Sequence, residues 1–137
     1  METKDKELLL KDLSARLPYG VKAYMKKWSK LDRKYYEGVY TVESVHPSLN
    51  DIYGSTENGS VEVILGYSDY DIKPYLFPMS SMTDEQKKEL KSLMTKDSYG
   101  LLYPTLRYYD YLYKHHIDVR DLIPKGLALD ATGLNIY

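Results

Sequence analysis

The chain contains no cysteine. Disulfide scaffolds, cysteine nucleophiles, cysteine-based zinc sites and iron–sulfur clusters are therefore excluded. Phenylalanine and tryptophan are almost missing, at one residue each. No apolar run approaches the ~18 residues that a membrane-spanning helix needs. Near the start only Leu8–Leu10 is continuously apolar, too little for a signal-peptide core, so an intracellular setting is expected. There is no Walker loop, dinucleotide fingerprint, nucleophile elbow or HExxH pair. Nor is there an internal repeat, a low-complexity tract or a linker.

What is there suits one domain. The 137 residues are 43% apolar and 28% charged, close to globular averages. A chain of this size buries about two-thirds of its surface, so residues 1–137 are expected to fold as a single α+β domain. Tyrosine occurs 16 times. It combines a large apolar body with a polar tip, so it serves core edges and wet interfaces alike. Charge is unevenly placed along a chain whose total is −1. Residues 1–34 hold ten Lys/Arg against five Asp/Glu; residues 35–86 hold one against nine; residues 87–137 hold eight against six.

Apolar spacing predicts a first helix over Asp5–Leu17, with Leu9, Leu10, Leu13 and Leu17 on one face. Alternation in Val21–Trp28 predicts a half-buried strand. Ser29–Glu37 is polar and reads as a loop. Gly38–Val45 is rich in β-formers. Ile52 and Tyr53 suggest a short third strand, Asn58-Gly59 a type I′ hairpin turn, and Val61–Tyr67 a further strand. Ile72–Pro78 is extended, because its two prolines bias their predecessors away from helix. Thr83 with Gln86 matches a capping box opening a second helix that runs to about Met94. Asp97–Gly100 connects it to a third helix, starting at Pro104 and running to His116. In that helix Leu106, Tyr109, Leu112 and Tyr113 share the expected core face. Asp118 caps a turn over Val119–Ile123, and Leu127–Leu129 supplies an edge strand. The implied architecture is an N-terminal helix, a small antiparallel sheet and two C-terminal helices. The strand count also admits closure into a small SH3-like barrel.

Three phrases are distinctive: Leu17-Pro-Tyr-Gly-Val-Lys22, the stretch from Asp71 to Thr83 (Asp-Ile-Lys-Pro-Tyr-Leu-Phe-Pro-Met-Ser-Ser-Met-Thr), and His116-Ile-Asp-Val-Arg-Asp-Leu-Ile-Pro-Lys-Gly-Leu-Ala128. In these the chain resembles an uncharacterised family of small proteins from phages, prophages and mobile elements of gut Bacteroidales. The resemblance implies a bacterial cytoplasmic setting and no chemistry.

Three constellations are candidates for function. Tyr108 and Tyr111, flanked by Arg107 and Lys114, form an aromatic surface suited to holding a host or phage protein, or a second copy of the chain. A non-catalytic interaction module is the leading expectation. The alternative is a nucleic-acid module using Lys22, Tyr24, Lys26, Lys27, Trp28, Lys30, Arg33 and Lys34, with Tyr35 and Tyr36. There the cations would meet phosphates and the aromatics would stack on unpaired bases. A third reading is a small metal-dependent hydrolase around His116 and Asp118, with Asp110, Arg120 and Asp121 nearby. Adjacent His115 and His116 diverge by about 100° on a helix, which is poor spacing for one metal. Asp110 and Lys114 fit an i,i+4 ion pair. His46, before Pro47, reads as a turn residue. No metal or cofactor is expected.

Overall fold

The computed structural model describes residues 1–137. Helix α1 (Thr3–Arg16) leads into a long hairpin of β1 (Lys22–Ser29) and β2 (Lys34–His46). A second hairpin, β3 (Asp51–Thr56) and β4 (Gly59–Ile64), precedes β5 (Tyr70–Leu76). Then come α2 (Asp84–Ser92), β6 (Met94–Lys96), β7 (Leu102–Pro104), α3 (Leu106–Lys114) and β8 (Leu129–Asp130). Six strands form one sheet in the order β4-β3-β2-β1-β5-β8, and β6 and β7 pair separately. The class is mixed α and β, with an N-terminal helix and two C-terminal ones. The sheet is open. Its edges are β4 and β8, and no ladder joins β4 to β5, so the barrel admitted by the strand count does not close.

Period-two alternation sets the sheet's two faces. Ala23 and Met25 of β1, Val42 of β2, Ile52 of β3, Val63 of β4 and Ile72 of β5 are all buried. Leu9, Leu10 and Leu13 of α1 cover that face and complete a 16-residue core. The opposite face carries Tyr24, Glu37, Tyr53 and Glu62 and has no helix over it. Gly54 is needed where the two hairpins meet: a Cβ there would collide with Met25 Sδ and come within 2.9 Å of Tyr40 Cβ. A register shift between Val42 and Ser44 bends β2, the usual effect of a bulge. A second core of four residues, Met82, Leu90, Leu112 and Ile117, lies between α2 and α3.

One polar cluster ties the first helix to the last segment. Asp12 and Arg16 are fully buried. Arg16 Nε donates to Asp12 Oδ2 at 2.8 Å and Nη2 to the Ile117 carbonyl at 2.6 Å. Arg120 Nη1 donates to Asp12 Oδ1 at 2.8 Å and its Nη2 to Tyr113 Oη at 3.0 Å. Both guanidinium carbons stand 5.2–5.5 Å from the Tyr113 ring centre, within cation–π range.

Several local expectations are corrected. Ser29–Glu37 is no loop: β2 begins at Lys34, and Trp28 pairs with Tyr35 across a tight turn. The β3–β4 turn is one residue earlier than expected. Thr56 pairs with Gly59, so Glu57 and Asn58 are central, and neither has positive φ. Pro104 belongs to β7, and Thr105 caps α3 by accepting from the Tyr108 amide. Asp97–Gly100 is the tip of the unexpected β6–β7 hairpin. The capping box of Thr83 and Gln86 is present in both directions. Leu129 adds to the sheet edge as expected, pairing in parallel with Tyr75 just past Pro74.

Candidate interaction surfaces

The aromatic surface expected on α3 faces the other way. Tyr108 and Tyr111 pack against the second core. The Tyr111 hydroxyl donates to Glu89 Oε2 at 2.7 Å. Burial first, and this bond second, push its pKa up to about 12. The packed face is 108, 111 and 112, and not the face of Leu106 and Tyr109 on which the spacing argument settled. Leu106 is 84% exposed and Tyr109 is 42% exposed. Arg107 and Lys114 are exposed on the helix flank. No ion pair joins Asp110 to Lys114; the chain's ion pairs involve Arg16, Arg120 and His46.

The exposed helix face continues into the β6–β7 hairpin. Tyr99 is 89% exposed, and Leu101, Leu102 and Tyr103 are also open to solvent. Tyr99 is held there by an Asx-type turn, in which Asp97 Oδ1 accepts from the Tyr99 and Leu101 amides at 2.8 and 2.9 Å. Counting a tyrosine at ~200 Å² and a leucine somewhat lower, these six side chains together expose roughly 600 Å², with Leu102 and Tyr103 on opposite faces of β7. Sequence reasoning missed this surface because the hairpin's strands are three residues each, and only Thr105 as cap would have fixed the phase of α3.

The basic and aromatic residues of the 22–36 segment are divided among two faces and a tip. Lys22 lies at the opposite end of β1, where its Nζ donates to the Ile136 carbonyl at 3.1 Å. Tyr24 donates to Glu37 Oε2 at 2.6 Å. Burial foremost, then this bond, raise its pKa to about 12. The rest lies at the far end of the β1–β2 hairpin, where Lys26 and Lys27 still pair with Asp71 and Tyr70 of β5. Lys26 sits 4.1 Å over the Tyr35 ring, and Trp28 meets Tyr35 edge-on at 4.9 Å. On the other face Lys34 sits 4.7 Å over Tyr36, beside Lys27. Tyr36 Oη donates to Asp32, which raises the phenol's pKa. Lys30 and Arg33 are at the tip. None of these five cations forms an ion pair.

His116 and Asp118 do not come together as a site. Asp118 is buried, and its carboxylate accepts from the amides of Arg120, Leu122 and Ile123 at 2.9–3.3 Å. That is a cap, as one reading of the sequence had it. No three metal-ligating side chains converge anywhere in the chain. His116 stacks on Tyr137 with ring centres 3.6 Å apart. It lines an open cavity of about 410 Å³ with Phe77 and His115, and Asp118 is not part of the lining. Burial, then the charges of Arg16, His115 and Lys22, lower the His116 pKa to about 4. His46 is paired, its Nδ1 2.8 Å from Asp51 Oδ1.

Compared with protein-family models, with curated proteins and with solved structures, the chain matches none. No helix is long and apolar enough to cross a membrane.

Proposed function

We propose that this chain is a non-catalytic protein-interaction module that self-associates through the apolar face of α3 and the β6–β7 hairpin. The observation that carries it is the concentration of exposed apolar side chains between Tyr99 and Tyr109, namely Tyr99, Leu101, Leu102, Tyr103, Leu106 and Tyr109. Their summed exposure, roughly 600 Å², approaches the ~800 Å² per partner of a standard interface. The charges beside it favour a second copy as occupant. Arg107 and Asp110 are both exposed and neither has an ion-pair partner within the chain. Antiparallel packing of two α3 helices about a twofold axis between Tyr108 and Tyr109 brings Arg107 level with Asp110 of the second copy. The converse pair forms by symmetry. On the same seam Tyr109 then meets its counterpart, and Leu106 of each copy packs beside Tyr109 of the other. The setting we propose is that of the resembling proteins, a phage or mobile-element accessory protein in a bacterial cytoplasm.

Sedimentation velocity over a range of protein concentrations tests this. A species of twice the 16.0 kDa chain mass is expected, in exchange with monomer. Leu106→Glu should abolish it, since each copy loses about 2 kcal/mol of leucine burial and gains a desolvated carboxylate. The residue is exposed, so the monomer should unfold at the same temperature as before. A wild-type chain that stays monomeric at ~100 μM, far above the Kd of a stable dimer, would contradict the proposal.

A further inference from the structure

A different surface carries a second binding property. Beyond Trp28, whose amide still bonds to the Asp69 carbonyl, β1 has no outer neighbour. Before Thr41, the first residue paired with β3, β2 has none either. The hairpin end is therefore free on both edges only over Ser29–Lys34, and on the outer edge of β2 alone up to Tyr40, its Lys26 and Lys27 still pairing with Asp71 and Tyr70 of β5. From Lys26 to Tyr36 it holds five cations and one acid, a net of +4 on a chain whose total is −1. The acid, Asp32, is bonded by Tyr36. The cations occupy both faces: Lys26 on one, Lys27 and Lys34 on the other, with Lys30 and Arg33 at the end. Open clefts of about 510 and 540 Å³ run along its two sides. At the tip Leu31 is 93% exposed.

A ribbon lying flat on a polyanion needs cations on one face only. Cations on both faces and at the tip suit a ribbon inserted between two walls of negative charge. The major groove of B-form DNA is such a space. It is about 12 Å wide, flanked by phosphates, and admits a two-stranded ribbon. The major groove of duplex RNA is too narrow and deep for one. Single-strand binding relies on free aromatic faces, whereas Tyr35 and Tyr36 each carry a lysine and Trp28 abuts Tyr35. We infer that the β1–β2 arm is a DNA-binding element that enters the major groove, its lysines and Arg33 neutralising phosphates on either side. Leu31 then lies against the base edges, where thymine methyl groups offer an apolar contact. Asp69 and Glu62, at the clefts, keep the polyanion off the body of the sheet. Each chain carries a whole arm, so binding stands apart from self-association.

The test is fluorescence anisotropy with a labelled mixed-sequence DNA duplex of about two helical turns, beside the same sequence as a single strand. Duplex binding is expected at ~50 mM salt, weakening ~10²-fold by ~200 mM as about four counterions are released. Lys30→Glu with Arg33→Glu should remove binding. Lys88→Glu with Lys91→Glu changes the charge equally on exposed α2 and should leave most of it. Three results would overturn the inference: no duplex binding at ~50 mM salt, tighter binding of the single strand, or equal loss in the α2 variant.

Discussion

Asp12 is the residue on which the joining of the chain's two ends depends. It is fully buried and accepts from two guanidinium groups, Arg16 four residues on and Arg120 far along the chain. Removing one partner of a buried ion pair leaves the others uncompensated, which costs about 3–5 kcal/mol. Asp12→Ala is expected to lose that much in urea denaturation, with a midpoint shift large enough to separate it from any surface aspartate. The sequence shows Asp12 and Arg16 only as polar residues on a leucine helix, because their other partners, Ile117 and Arg120, are about a hundred residues away. His116 makes a pH-dependent contribution. Its folded pKa of about 4 lies below the usual 6.5 of a free histidine. The folded state therefore prefers the neutral ring, and protons favour the unfolded chain. Stability from this source is complete above pH 6.5 and falls steadily as pH drops towards about 4. The groups facing the ring are Arg16, Lys22 and His115, all repelling a proton, and the stacked Tyr137. His116→Asn accommodates the same positive φ of 58°. The variant should show a shallower decline of melting temperature between pH 6.5 and 4.5, measured against wild type in matched buffers.

At the scale of elements, local chemistry was legible wherever one motif sufficed. The box of Thr83 and Gln86 opens α2 as the sequence indicates. Thr83→Ala should cost about 1 kcal/mol and speed amide exchange in Asp84–Ser92 more than in the sheet. The strands with buried alternation, β1 and β4, were equally plain. Elements decided by pairing were not. Ser29–Glu37 is polar because its turn and the outer edge of β2 meet water, a composition it shares with loops. In α3 two aromatic faces competed, and packing on Leu90 and Met82 chose the one with Tyr108 and Tyr111. Composition could not rank faces so alike. Gly54 shows the same dependence on tertiary context. Gly54→Ala forces Met25 and Tyr40 aside, an overpacking expected to cost about 1–3 kcal/mol, which thermal melts would register.

At the scale of the molecule, segmented charge and abundant tyrosine have structural explanations. The +4 arm forms one end of an acidic sheet, and the helical end carries the apolar face. Many tyrosines are structural donors: Tyr24 to Glu37, Tyr53 to Glu62, Tyr111 to Glu89. The surface proposed for binding thus holds few of the sixteen, and Leu106 is more prominent than any of the tyrosines first singled out. The most direct measurement of self-association uses charge reversal at the proposed twofold contact. Arg107→Asp alone sets aspartate against Asp110, and Asp110→Arg alone sets arginine against Arg107, so each variant should sediment as a monomer. Mixed in equal amounts, the two should form a heterodimer with both pairs restored. Dimers in either variant alone, or only monomers in the mixture, would contradict the twofold α3 contact.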